Sequence, residues 1–345
     1  MASLSALKYL GLYNNSLSSF IPSQLGGLAA LTYLDLESNK INNSIPASFG
    51  QLVNLEQLIL GNNSLTGNIP SSLQNLTRLS RLTLRSNNLV GEIPEIFGGM
   101  KTLKNLSLDN NALTGYLPSS LYSLSALVVL RLHHNQLQGT LFYSAVVNLV
   151  SLTELRLDFN KFGDILDKFS RMTSLQMLVL RSNNFRGSIP ASLFELPELQ
   201  FVSLSFNKFT STISPNIGAL KKLKFLSLGN CAFTGPLPST IGNLQSLAVL
   251  NVRENFLSGT LPDEVGSLTN LKVLNISSNA FTGSLPATLG DLTQLVLLGA
   301  HSNSLSGELP LTLVQAAKLE QVYLYNNAFE GSIDVFFRQQ QTFPP

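Results

Sequence analysis

An asparagine returns along this chain every 24 residues, and that beat constrains the fold more than any other feature. It falls at Asn15, Asn39, Asn63, Asn87, Asn111, Asn135, Asn160, Asn183, Asn207, Asn255, Asn279, Asn303 and Asn327, with Cys231 in the one remaining slot. Only the step to Asn160, one residue longer, and the step to Asn183, one shorter, break the period. The same apolar frame surrounds each beat: Leu79, Leu82, Leu84, Asn87, Leu89, Gly91, Ile93, Pro94 is followed by Leu103, Leu106, Leu108, Asn111, Leu113, Gly115, Leu117, Pro118. A 24-residue unit cannot enclose its own leucines, so neighbouring copies must stack and share one continuous core. The expectation is a single α/β repeat solenoid over residues 1–345, with about fourteen copies between residues 7 and 333 and no linker.

The chemistry of one copy predicts its path. In Leu7, Leu10, Leu12 the last two leucines alternate with Tyr9, Gly11 and Tyr13, the period-two signature of a strand with one buried face, and stacked strands form a parallel sheet. The asparagine amide can donate to and accept from the backbone of its own turn and of the neighbouring copy. Cys231 is a weaker donor there and is read as a structural variant. The recurring glycine, among them Gly67, Gly91 and Gly115, with Ser19 and Asn43 substituting early, marks a reversal with positive φ. The residue before each proline is pushed into extended backbone, giving a second row of short edge-like segments. The stretch after the proline, such as Ser71-Ser72-Leu73-Gln74-Asn75-Leu76, suits a short 3₁₀ or helical turn with a serine start on the convex side.

These copies resemble the plant-type leucine-rich repeat, whose pattern carries Gly-x-Ile-Pro after Asn-x-Leu, and the resemblance runs from Leu7 to about Ile333. It implies a curved, right-handed superhelix with the parallel sheet on a concave recognition face. It also implies kinship with ectodomains of receptor-like kinases and receptor-like proteins, and with secreted inhibitors of polygalacturonases. Members of that family usually close their ends with cysteine-paired caps. Here a single cysteine forms no intramolecular disulfide, the first copy begins almost at Met1, and the last runs into Phe336-Phe337 and Thr342-Phe343-Pro344-Pro345. Uncapped ends are expected of an internal piece of a longer protein or an incomplete reading of its gene. The alternative is a complete chain whose short flanks fold over the ends.

Composition excludes several classes. A net charge of +2 offers no nucleic-acid footprint, and no apolar run has the length of a membrane span. Met1-Ala2-Ser3-Leu4-Ser5 lacks the basic region and apolar core of a secretory signal. Six glycosylation sequons, at Asn14, Asn42, Asn62, Asn75, Asn105 and Asn275, fit an exported protein, although chance predicts about as many and two fall on strands. With three histidines, no tryptophan, no cysteine cluster and no glycine-rich phosphate loop, no catalytic or cofactor-binding constellation emerges.

Candidate binding residues are the outward positions of the strands. One column runs Arg85, Asp109, His133, Asp158, Arg181, with neighbours about 5 Å apart. It reads either as an exposed ladder of ion pairs or as a stripe that orients a ligand, with His133 gaining charge between two carboxylates. Asp109, His133 and Asp158 form a conceivable metal trio, although one histidine without supporting ligands argues against it. The central column places Arg131 beside Arg156, a like-charged pair that needs an anion, either Glu154 or a carboxylate, sulfate or phosphate on a partner. Arg81 joins this patch, and Phe159 and Phe206 are outward aromatic anchors, with Phe201 and Phe225 further along. The tyrosines Tyr9, Tyr13, Tyr33, Tyr323 and Tyr325 are expected to pack against caps. The stretch from Phe142 to Lys168 breaks the period beside the patch, either as a docking feature or as a drifted repeat.

The expected function is non-catalytic recognition by the ligand-binding extracellular region of a plant-type receptor-like kinase or receptor-like protein. Its partners would be a protein or peptide ligand or a glycan, together with a co-receptor, at the cell surface. The rival readings are a soluble inhibitor of a cell-wall-degrading enzyme such as polygalacturonase and an intracellular adaptor.

Overall fold

The computed structural model describes residues 4–142 and 147–333, which fall into two compact units, Met1–Asn184 and Phe185–Pro345. In the first unit, eight three-residue strands lie parallel: Tyr9–Gly11, Tyr33–Asp35, Gln57–Ile59, Arg81–Thr83, Asn105–Ser107, Val129–Arg131, Glu154–Arg156 and Met177–Val179. In the second, six do so: Phe201–Ser203, Phe225–Ser227, Val249–Asn251, Val273–Asn275, Leu297–Gly299 and Gln321–Tyr323. Repeat position sets the register, so that Leu82 lies opposite Leu106, and Leu106 opposite Leu130. The frame leucines of the inner copies, such as Leu79, Leu84, Leu103 and Leu108, are fully buried. This shared apolar column, rather than any contact within one copy, stabilises the stack.

Each ladder asparagine does what its amide chemistry predicts. Asn111 donates from Nδ2 to the carbonyls of Leu84, Leu108 and Asp109 at 3.1, 3.1 and 3.3 Å, and its Oδ1 accepts from the backbone N–H of Leu89 at 3.0 Å. One side chain thus satisfies backbone groups of two successive coils that would otherwise be buried unpaired. Cys231 keeps only weak versions of these bonds, its Sγ lying 3.6 Å from the Leu204 carbonyl and 3.7 Å from that of Gly229. Burial pushes its thiol up to a pKa of about 11.

The expected reversal is present. Gly91 and Gly115 both have φ of 76°, and the early substitutes Ser19 and Asn43 take φ of 78° and 61°. The flanking segments form a second parallel sheet in the first unit, from Ser18–Phe20 through Lys40–Ser44, Ser64–Gly67 and Asn88–Glu92 to Ala112–Thr114. Among the described residues the helical segments are 3₁₀ turns, such as Ser71–Asn75. That turn starts at Ser71 as expected, but its cap position is Pro70, and no side chain caps it. The hydroxyls tie neighbouring turns instead, Ser72 Oγ donating to the Ala47 carbonyl at 2.7 Å.

The period break is filled by an aromatic core. Tyr122, Phe142 and Phe169 are all buried, with ring centroids 5.9 Å apart for the first pair and 5.0 Å for the second, both edge-on. The flanking strands Gln138–Leu141 and Lys161–Ile165 pair with a register shift between Gly139 and Thr140. Residues 143–146 of the irregular stretch lie outside the described residues, as do the phenylalanines and prolines beyond residue 333. In the first copy Tyr9 stacks on Tyr33 at 4.1 Å, and Tyr33 donates from its hydroxyl to Asp35 Oδ2 at 2.9 Å. These tyrosines therefore pack on each other.

Candidate functional site

Ten of the eleven expected site residues, Arg81, Arg85, Asp109, Arg131, His133, Glu154, Arg156, Asp158, Phe159 and Arg181, belong to the first unit; Phe206 belongs to the second. The strand repeat brings the ten onto adjacent coils, but their environments differ sharply.

The arginine pair is compensated from within. Arg131 and Arg156 are direct neighbours across the sheet, as the spacing predicts. Arg131 forms a bidentate ion pair with Glu154, Nε to Oε1 and Nη2 to Oε2, both at 2.7 Å. That hydrogen-bonded carboxylate holds the Arg131 guanidinium above its ordinary pKa. Arg156 is less well served: its Nε lies 3.5 Å from Asp158 Oδ1, too far and too poorly aligned for a hydrogen bond. One edge of the patch is a longer bridge, in which Arg85 donates from Nε and Nη2 to Glu37 Oε1 at 3.1 and 2.9 Å across the intervening copy. Gly61 makes room for it, because a Cβ there would lie 2.8 Å from Glu37 Oε1 and 3.0 Å from Arg85 Cγ. Arg81 is exposed and directs its Nε only to Thr83 Oγ1 at 3.4 Å.

The column expected to be an exposed ladder is exposed only at its ends, Arg85 and Arg181, and its middle is buried. Asp109, His133 and Asp158 are 4%, 8% and 3% accessible, sunk between the rows on either side. His133 Nε2 lies 3.5 Å from Asp109 Oδ2, while Asp109 Oδ1, His133 Nδ1, Arg156 Nε and Asp158 Oδ1 are buried without a hydrogen-bond partner. The expected gain of charge on His133 is corrected as well. Burial lowers its pKa, and Arg156 adds to the effect; the opposing pull of Asp109 and Asp158 does not overcome them. No group of residues suited to holding a metal ion occurs among the described residues.

Beside this sunken row, aromatic groups reach the surface. Phe159 is 38% accessible and stacks on His134, with centroids 4.2 Å apart and planes 13° from parallel, and the Arg181 guanidinium carbon lies 5.5 Å from the Phe159 centroid. Phe206 is equally accessible in the second unit, where Phe201 and Phe225 stack face to face at 4.1 Å. His134 was missed by reading strand columns alone. The signal lay one position later, in the slot ahead of the ladder asparagine, which apart from His134 and Phe159 holds asparagine or serine throughout the first unit.

Comparison with known proteins decides the family. The sequence model of the Leucine-rich repeat region matches residues 1–109 and 208–326, and a shorter Leucine rich repeat model matches residues 84–137, 101–162 and 150–209. The chain belongs to the leucine-rich repeat family. No curated protein sequence matches it. Among solved structures, this leucine-rich repeat chain is similar to a TDR receptor, with 29% identity and a TM-score of 0.90 over 97% of the chain and 58% of the receptor. It is also similar to the plant peptide hormone receptor RGFR1 in complex with RGF2, with 31% identity and a TM-score of 0.74 over 97% of the chain and 62% of that receptor. The chain therefore spans about three fifths of the length of these two relatives. Leptospira interrogans LRR protein LIC12759 shares 31% identity at a TM-score of 0.78, over 97% of the chain and 82% of that protein. The matched families are built of repeats and indicate no enzyme; leucine-rich repeats are typically non-catalytic protein-binding modules. No helix among the described residues is long and apolar enough to cross a membrane.

Proposed function

We propose that this chain is the ligand-recognition region of a plant-type receptor-like kinase or receptor-like protein, and that it holds a peptide along the strand-lined face of its first unit. One observation carries this reading. Positive charge on the central strand column is confined to Arg131 and Arg156, the buried Asp35 being the one other charged residue in it, whereas the second unit presents Ser203, Ser227, Asn251, Asn275 and Gly299 there. Of the two arginines, Arg131 is held by Glu154 and is the positioned wall of the site. Arg156, with an incompletely bonded guanidinium, is the group that receives a ligand carboxylate. A receptor of the same fold supports the reading of a peptide ligand, the plant peptide hormone receptor RGFR1 being known in complex with RGF2. In this reading the chain works at the cell surface within a longer protein and engages a co-receptor once the ligand is seated.

The test is selection from a displayed peptide library with free C-termini, followed by titration of the selected peptides against Arg131→Glu/Arg156→Glu and, as a control, Arg253→Glu. Arg253 lies in the second unit, its Nε 3.5 Å from Glu254 Oε1. The double variant should weaken binding at least about tenfold, or 1.4 kcal/mol, with the control unchanged. Equal binding by all folded versions would place the ligand elsewhere.

A further inference from the structure

The residue ahead of each ladder asparagine has a left-handed backbone. In the first unit Asn14, Ser38, Asn62, Ser86, Asn110 and Ser182 fill this slot with φ between 51° and 58°, and their side chains are small or carry an amide. His134 and Phe159 are the exceptions, at φ of 53° and 56°. Histidine tolerates this backbone as asparagine does, whereas the Phe159 ring carries strain of the kind that clusters at functional sites.

What the two rings build is a stack, with Arg181 against Phe159 and His134 at the other end. His134 lines a groove of about 370 Å³ beside the exposed Asn88, Val90 and Asn110 and the ladder residues Asn87 and Asn111. The volume falls in the lower part of the range of about 300–1,000 Å³ typical of small-molecule sites. No acidic, lysine or arginine side chain lines it. Asn110 donates from Nδ2 to Asp109 Oδ2 at 3.0 Å, which orients its amide and leaves its carbonyl oxygen to accept from a ligand. An uncharged groove, amide groups that both donate and accept, and one aromatic face together form a receptor for a ring with hydroxyls at its rim and C–H bonds on its faces.

We propose that the groove between Asn88, Asn110 and His134 binds a neutral carbohydrate, at a site separate from the arginine-bearing sheet face. The histidine ring covers one face of a sugar, the two exposed amides bond adjacent hydroxyls, and Val90 closes the apolar side. The absence of charge from the lining selects against uronic acids and sulfated sugars, whose desolvation no group there would offset.

The purified chain would be titrated by calorimetry and saturation-transfer NMR with cellotetraose, xylotetraose and mannotetraose, with trigalacturonate as the charged comparison and a proline- and tyrosine-rich peptide as the alternative ring donor. At least one neutral oligosaccharide should bind at millimolar concentration or below. His134→Ser, which restores the residue type common in that slot, and Asn88→Ala, at an exposed amide, should each weaken it at least about tenfold, while His134→Phe retains most binding. Thermal unfolding identifies any variant that has lost its fold, and Arg131→Glu/Arg156→Glu should leave sugar binding intact. The proposal is overturned if no neutral oligosaccharide binds, if trigalacturonate or the peptide binds in preference, or if folded His134→Ser and Asn88→Ala bind as the parent does.

Discussion

Arg131 and Glu154 sit on neighbouring coils and are joined by two parallel hydrogen bonds of 2.7 Å, so the residue next to Arg131 in the sheet, Arg156, faces a guanidinium that is already neutralised. Glu154 is the reason two arginines can stand side by side on this sheet. Replacing it removes the only hydrogen-bonded carboxylate between them and exposes the repulsion that like charges on adjacent strands produce.

Glu154→Gln is therefore expected to destabilise the fold by about 1 kcal/mol, since the pair is partly exposed and screened. It should also raise affinity for acidic peptides, because Arg131 is freed to bind them. A double-mutant cycle with Arg131→Ala should return a coupling energy of about 0.5–1 kcal/mol. Zero coupling in denaturation, with unchanged peptide binding, would show that the two side chains act independently.

The buried imidazole makes stability depend on pH in one direction. Burial lowers the pKa of His133, so below about pH 6.5 the unfolded chain takes a proton that the folded chain resists. Above that value both forms are neutral and the group contributes nothing. As pH falls toward the lowered folded value, stability is lost, and below it the loss is complete. His133→Gln should therefore show a smaller fall in melting temperature between about pH 7.5 and about pH 5.5 than the parent. An equal or larger fall in the variant would mean that Asp109 and Asp158 dominate and hold the proton on.

Cys231 offers a substitution in the stabilising direction. Asn207, Asn255 and Asn279 show what the slot prefers, and Asn255 donates at 3.0 Å to the Leu228 and Val252 carbonyls where the thiol reaches only 3.6 Å or more. Cys231→Asn should add about 1 kcal/mol, and Asn135→Ala, at a buried rung, should cost about 1–3 kcal/mol. Because repeat arrays unfold by segments, hydrogen exchange around each site measures this better than a single global midpoint. With its pKa near 11, the Cys231 thiol should also react slowly with alkylating reagents at neutral pH. Rapid modification of the folded chain would contradict its burial.

Periodicity exposed the ladder asparagines, the positive-φ glycines and the pairing of Arg131 with Arg156, because each depends only on position within the repeat. It could not reveal depth. Asp109, His133 and Asp158 occupy outward positions of the repeat yet are buried, because accessibility depends on neighbouring bulk that position within the repeat does not encode. That stack itself was half legible: Phe159 stood out as an exposed aromatic, but asparagine and serine in its slot read as ordinary turn residues until their shared left-handed backbone was seen. The period break had no readable outcome, because filling it depends on Tyr122 and Phe169 meeting Phe142 from separate coils.

Two glycines of adjacent copies separate these kinds of constraint. Gly259 has φ of +76° and open space around it, the nearest atom to an added Cβ being Pro236 Cβ at 3.7 Å, so Gly259→Ala meets only backbone strain of about 1 kcal/mol. Gly242 has no unusual φ, but its 3₁₀ turn lies so close to the next that an added Cβ would sit 2.5 Å from the Glu264 carbonyl oxygen. Because that oxygen belongs to the backbone, relief requires the turns to move apart, an overpacking cost of about 1–3 kcal/mol. Gly242→Ala should therefore be the more damaging of the two, with faster hydrogen exchange spreading into the turn Asp263–Ser267. If Gly259→Ala proves worse, the reversal and not the contact between turns limits the stability of this part of the chain.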